Sequence, residues 1–149
     1  MKTLASILTV LTLVISASAN ARVIAQVVVA GGFMSPEVCG THELRVEDNG
    51  RVTFQSCEKN IASLAKLSPK VVAKLMKKID ALHITSLSQP NQRGCMDAPT
   101  TYYSVSQRGS EMRAISARVN CIDLEMKSNS YEVTDIRDLL KGLLALSDF

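Results

Sequence analysis

The sequence predicts an α+β domain: an antiparallel sheet of about five strands in the order β-ββ-α-ββ-α, two helices packed on one face, and two disulfides. Three observations lead there. Two pairs of stretches read as strands about turn residues, two longer stretches carry apolar residues at helical spacing, and four cysteines flank the predicted hairpins. Strands joined mainly by hairpins pair antiparallel, and amphipathic helices then cover one face.

The chain opens MKTLASILTVLTLVISASANA. Lys2 is a minimal positive start, residues 4 to 15 are an apolar run, and Ala17-Ser18-Ala19 or Ala19-Asn20-Ala21 is a small-residue cleavage site. This is the pattern of a bacterial secretory signal peptide over residues 1–21, leaving 22–149 as a single domain. The apolar run falls short of the ~20 residues that span a bilayer, and no cysteine at the cleavage site offers a lipid anchor. A periplasmic or secreted protein is expected, with no membrane association in the mature form.

Residues 23–30 (VIAQVVVA) are β-branched and apolar on both faces, as in a central, well-covered strand. Gly31-Gly32 ends it, and Phe33-Met34-Ser35-Pro36 leads into the stretch from Cys39 to Cys57. There, Leu44 and Val46 alternate with polar residues on one side of Asp48-Asn49-Gly50, and Val52 and Phe54 on the other. A two-residue loop would set Val46 opposite Thr53 and split the apolar faces. A three-residue loop with a left-handed Gly50 sets Val46 opposite Val52 and Leu44 opposite Phe54. Register follows the buried face, so the three-residue loop is expected.

Residues 61–67 read as a short connector with a helical turn. Ser68-Pro69 is a helix start, Ser as N-cap and Pro in the first turn. Val72, Leu75, Ile79 and Leu82, joined by Val71 and Met76, form its apolar stripe, with lysines opposite. His83 falls at the C-terminus, where a cation complements the helix dipole. Residues 85–99 read as a polar loop. Residues 100–107 (TTYYSVSQ) and 111–119 (EMRAISARV) then pair about Arg108-Gly109, through a loop of two or three residues. Ser128-Asn129-Ser130 is a break before a second amphipathic helix over 133–146, with Ile136, Leu139, Leu140, Leu143 and Leu144 on its stripe.

All four cysteines lie beyond the signal peptide, and an even count in an exported chain implies two disulfides. The first hairpin's register makes Cys39 the near-diagonal neighbour of Cys57. Cys95 and Cys121 flank the second hairpin at almost matching distances. The expected pairs are therefore Cys39–Cys57 and Cys95–Cys121.

The formal net charge is only +3 and aromatic residues make up 4% of the chain, which argues against nucleic-acid binding. Lys66, Lys70, Lys74, Lys77 and Lys78 have the spacing of a solvated helix face. No nucleophile elbow, phosphate-binding glycine loop, EF-hand loop or H-E-x-x-H occurs. No C-x-x-C pair occurs, and His42 and His83 lack metal-ligand spacing. Asp97 with Asp123 or Glu125 forms the one carboxylate pairing to weigh, and such pairs arise by chance. Neither catalytic residues nor a cofactor or metal site is expected, and the chain reads as a non-enzyme.

Cys39-Gly40-Thr41, the alternating strand after it, Asn49-Gly50-Arg51-Val52-Thr53-Phe54, Leu67-Ser68-Pro69 and Asp97-Ala98-Pro99-Thr100-Thr101 occur in that order. Together they resemble a family of small exported bacterial domains of unknown function, over about residues 36 to 146. That family's pattern is approximately C-G-T-C-P, an alternating strand, D-G-x-V-x-Y, a helix, then T-D-x-P-T. This chain departs from it at His42 and Glu43, which stand where the family has its second Cys and its Pro. More remotely, Gly31-Gly32-Phe33 after the first strand and the late Asp-containing loop before a Tyr-rich strand resemble emfourin-type inhibitors of thermolysin-like metalloproteases. That resemblance implies a rigid, disulfide-stapled exported domain presenting loops to a protein partner.

The leading expectation is an exported, monomeric, non-enzymatic binding module whose protein partner is an exported protease in the inhibitor reading. Phe33 and Met34 after the Gly-Gly pair read either as a hydrophobic plug over the end of the core or as an exposed apolar binding loop. In the binding reading the contact surface comprises them with Gln89, Asn91, Arg93 and Asp97 from the loop anchored by Cys95. A periplasmic structural or interaction protein is the alternative, and a small hydrolase with an unrecognised site is the third reading.

Overall fold

A computed structural model describes residues 21–31, 40–56, 59–88, 94–95, 98–126 and 130–147. Among these, seven strands and two helices follow one another as β1 (Val23–Ala30), β2 (Thr41–Glu47), β3 (Arg51–Gln55), β4 (Asn60–Lys66), α1 (Pro69–Asp80), β5 (Thr100–Val105), β6 (Arg113–Val119), β7 (Ile122–Glu125) and α2 (Ser130–Ala145). The strands form one sheet in the order β4-β3-β2-β1-β5-β6-β7, antiparallel throughout. The class is α+β, as expected, with more strands than the sequence reading assigned.

β1 is the middle of the sheet. Val27 faces Leu44 of β2 on one side and Tyr103 of β5 on the other. Ala25, Val27 and Val29 point into the core and are buried. Val28 lies on the opposite face between Glu43 and Tyr102 and is half-buried. The strand is thus central yet covered on one side only, which corrects the expectation of two covered faces. Its unbroken apolar run is a matter of β propensity at Val28 rather than of a second core.

The first hairpin has the expected register, Val46 opposite Val52 and Leu44 opposite Phe54, through a loop of Asp48, Asn49 and Gly50. Gly50 has φ of +84°, and a Cβ there would lie 2.5 Å from the Leu67 carbonyl oxygen. That close approach seats the chain that enters α1: Leu67 N–H donates to the Gly50 carbonyl at 2.8 Å. The turn therefore sets the start of the helix as well as the hairpin.

The connector expected at residues 61–67 is instead the edge strand β4, with Val52 opposite Ala65 and Phe54 opposite Ile61. A register shift between these pairs breaks strict alternation, which hides a strand from a period-two reading. The second missed strand, β7, follows a tight turn in which Asn120 and Cys121 both have positive φ (49° and 65°). Left-handed conformations at both central positions match the right-handed twist of a hairpin, and glycine is the usual signal for them. The loop from β5 to β6 is also longer than expected, spanning residues 106–112.

α1 begins as predicted, with the Ser68 side chain accepting from Val71 N–H and Pro in the first turn. Carbonyls at and just beyond its end are met by the β5–β6 loop: Gln107 Nε2 donates to Ile79 O and Leu82 O, both at 2.7 Å. The helix ends at Asp80, so His83 sits beyond it, exposed to solvent. Val72, Leu75 and Ile79 of α1 and Val133, Ile136, Leu140 and Leu143 of α2 bury into one cluster with the inward residues of the sheet. The two helices also touch each other, with Lys78 of α1 paired to Asp135 of α2, so both cover the same face.

The helix faces generate a stability prediction. Leu75 and Leu140 are 3% and 0% exposed, so Leu75→Ala and Leu140→Ala should each cost ~2–5 kcal/mol in chemical denaturation. Lys74→Ala, on the exposed side of α1, should stay within about 0.5 kcal/mol of the parent. Equal losses from all three would mean that α1 buries a different face.

Candidate functional site

The topology gathers several chain crossings at one end of the sheet. Ala30, the last residue of β1, faces Thr41 of β2 and Thr100 of β5. The segment between β1 and β2 therefore leaves and returns beside the segment that enters β5. Gly31 N–H donates to Gly40 O across the base of the first. The second is pinned to the β6–β7 turn, where Cys95 N–H donates to Asn120 O at 2.8 Å and Cys95 is disulfide-bonded to Cys121. Thr101 opposite Arg118 puts that turn at the same end of the sheet.

Of the expected disulfides, Cys95–Cys121 is present, with Cα atoms 5.6 Å apart. It brackets the β5–β6 hairpin, Cys95 before β5 and Cys121 after β6, as the spacing implied. It ties a long crossover to the tight turn after β6. Cys39 and Cys57 lie outside the described residues. So do Phe33, Met34, Gln89, Asn91, Arg93 and Asp97. Gly31, Gly40 and Cys95, which border these segments, lie at the shared end described above, whereas Ser88, before Gln89, bonds to Glu125 O at the other end of β7.

His42 and His83 do not meet. His42 is on β2 opposite Val29, half-buried, its ring stacked on Phe54 with centroids 6.2 Å apart. His83 follows the α1 end that Gln107 caps, beside the β5–β6 turn at the other end of the sheet. A groove of about 360 Å³ runs between the helices, over Val71, Leu75, Ile136 and Leu139, with Lys74 and the Lys78–Asp135 pair at its rim. It holds neither histidine. Among the described residues, no group of three or more His, Cys, Asp or Glu side chains is placed to hold a metal ion. No described helix is long and apolar enough to cross a membrane.

Of the acidic residues weighed as a pair, Asp97 lies outside the described residues, and Asp123 and Glu125 have other partners. Asp123 faces Arg118 at 4.0 Å, and Glu125 pairs with Arg137 of α2. Arg137 also reaches Asp138 at 3.5 Å. These groups surround Tyr103, buried on β5 with Lys141 Nζ 6.0 Å from its ring centre. Burial pushes the Tyr103 phenol above its ordinary range, with Arg137 working against the shift. On the α1 side, the hydrogen bond to Asp135 holds the Lys78 ammonium above the usual lysine range. The Glu125–Arg137 contact joins β7 to α2. Sequence reasoning missed it because it missed β7, although Ile122-Asp123-Leu124-Glu125 does alternate.

Comparison with family models, with curated proteins and with solved structures found no match for this chain.

Two outcomes follow from this geometry. The disulfide closes a sequence separation of 26, so replacing both Cys95 and Cys121 with Ala should cost about 3.5 kcal/mol in the chain-entropy model. Urea denaturation checks this, and a loss below about 1 kcal/mol would mean other contacts already hold the crossover. The second concerns Tyr103, whose folded-state pKa is raised above the ordinary value of 10.0. Above that pH the unfolded chain loses a phenolic proton that the folded chain keeps. The contribution of Tyr103 is thus fully present below pH ~10 and is lost as pH rises through the folded-state value. Absorbance titration should show a late tyrosine step that Tyr103→Phe removes.

Proposed function

We propose that this chain is an exported, non-enzymatic binding module that presents one end of its sheet to a protein partner. The observation that carries the reading is the convergence of two tethered segments, residues 31–40 and 94–100, on the last residue of β1. One is held by the β1–β2 ladder and the Gly31–Gly40 contact, the other by the β1–β5 ladder and the Cys95–Cys121 disulfide. Chain fixed at both ends loses less entropy on binding than free chain, so such a frame suits recognition. The contact residues are Phe33, Met34, Gln89, Asn91, Arg93 and Asp97, with the two apolar side chains as anchors. The partner in the inhibitor reading is an exported thermolysin-like protease, a class that rests on the remote emfourin resemblance alone.

The double variant Phe33→Ser with Met34→Ser tests this. A binding loop leaves the unfolding midpoint nearly unchanged while abolishing capture of the partner from culture medium, and with it any inhibition of thermolysin. A marked fall in midpoint would make these residues part of the core and end the proposal. An equally stable variant that still binds would put the partner surface elsewhere.

A further inference from the structure

The opposite end of the sheet carries a different chemistry. A cavity of about 160 Å³ opens there between the start of β1, the end of α1 and the β5–β6 turn, with Arg22 and Arg108 among its walls. Its apolar side is made by Ile24, Met76 and Ile79, and Asp80 lies at its margin. We propose that this cavity binds a small organic monocarboxylate, its head between the two guanidinium groups and its hydrocarbon part against Met76 and Ile79.

Arg22 is fixed at its backbone: its N–H donates to Asp48 Oδ1 at 3.1 Å, and its carbonyl accepts from Asp48 N–H at 2.8 Å. Its side-chain Nε is shut off from solvent and meets no acceptor of the protein. A buried donor on a cation without an acceptor is costly, and an anion in the cavity would satisfy it. Among the described residues, neither Arg22, Arg108 nor Asp80 forms an ion pair.

The turn opposite Arg22 is shaped around it. Gly109 has φ of +82°, and a Cβ there would come within 3.1 Å of Arg22 Nη1. Arg108 has φ of +48°, a conformation rare for residues with a side chain and found where the surroundings hold it. Ser106 Oγ donates to Ser110 O at 2.6 Å across the base of the same turn. The turn thus brings Arg108 to the same small cavity that Arg22 lines.

The class of ligand follows from charge and size. The two guanidiniums outnumber the one carboxylate, which suits an anion, and the apolar side of Met76 and Ile79 suits an organic anion better than phosphate. The volume accommodates about five or six non-hydrogen atoms at the ~30 Å³ a water occupies in the liquid. Arginine's fork matches a carboxylate head, and the apolar side suits a short hydrocarbon.

The test titrates the ¹⁵N-labelled chain with butyrate, butyramide and inorganic phosphate at matched ionic strength, followed by NMR. The proposal predicts saturable shifts with butyrate at Arg22 Nε–H and at the Ser106 and Gly109 amides, and none with butyramide. Arg108→Gly removes one guanidinium while relaxing the positive-φ backbone, so its melting temperature should hold or rise. Its butyrate affinity should fall about tenfold or more. Arg22→Gln should weaken binding by a similar factor. Absence of saturable shifts, or binding untouched by both substitutions, would overturn the site. Tighter saturation of the same resonances by phosphate would overturn the carboxylate assignment.

Discussion

The pairing of β1 with strands on both of its edges is the constraint on which the rest of the structure depends. Val27 faces Leu44 and Tyr103 at once, and Ala25, Val27 and Val29 form the middle row of the core. A β-strand offers alternate residues to each face, so a one-residue slip of β1 would turn this row away from both helices. Fully burying a valine is worth ~1.5–3 kcal/mol, which makes that slip prohibitive. The same register brings Thr41 and Thr100 beside Ala30, and so decides which segments share an end of the molecule.

The polar contacts that matter act on position more than on total stability. Exposed ion pairs contribute little in water. Gln107 ties down the end of α1 with hydrogen bonds to the Ile79 carbonyl, which also accepts from Leu82 N–H, and to the Leu82 carbonyl just beyond the helix. Glu125 and Arg137 dock α2 on β7, and Lys78 and Asp135 join the two helices. The disulfide does the corresponding work for the crossover before β5, at the far end from the arginine-lined cavity. One end of the sheet is thus built from tethered chain, the other from an arginine-lined cavity and a tight turn.

How much was legible in the sequence depended on whether a local rule stood alone. The first hairpin was readable because Gly50 and two alternating strands demand one register, and α1 because Ser68 and Pro69 mark its start. β4 was not readable, since the register shift between Val52 and Phe54 destroys its alternation and it borders solvent on one edge. β7 was hidden by its turn: Asn120 and Cys121 take left-handed conformations that normally announce themselves as glycine. The cysteine spacing named the right partner for Cys95, because the antiparallel pairing of β5 with β6 brings the two ends of that hairpin together. For the proposed partner surface, the sequence named residues, and the fold brings together only the chain that borders residues 32–39 and the segment between Cys95 and Thr100. The arginine cavity had no sequence signal, as Arg22 and Arg108 come to line one cavity only through the β1–β5 register.

The most direct measurement of the central claim is hydrogen exchange by mass spectrometry on the chain alone and bound to its captured partner. Binding through the tethered end predicts added protection in peptides covering residues 31–40 and 88–99, with α1 and β4 unchanged. Protection confined to α1, β4 or the open face of the sheet would contradict the account.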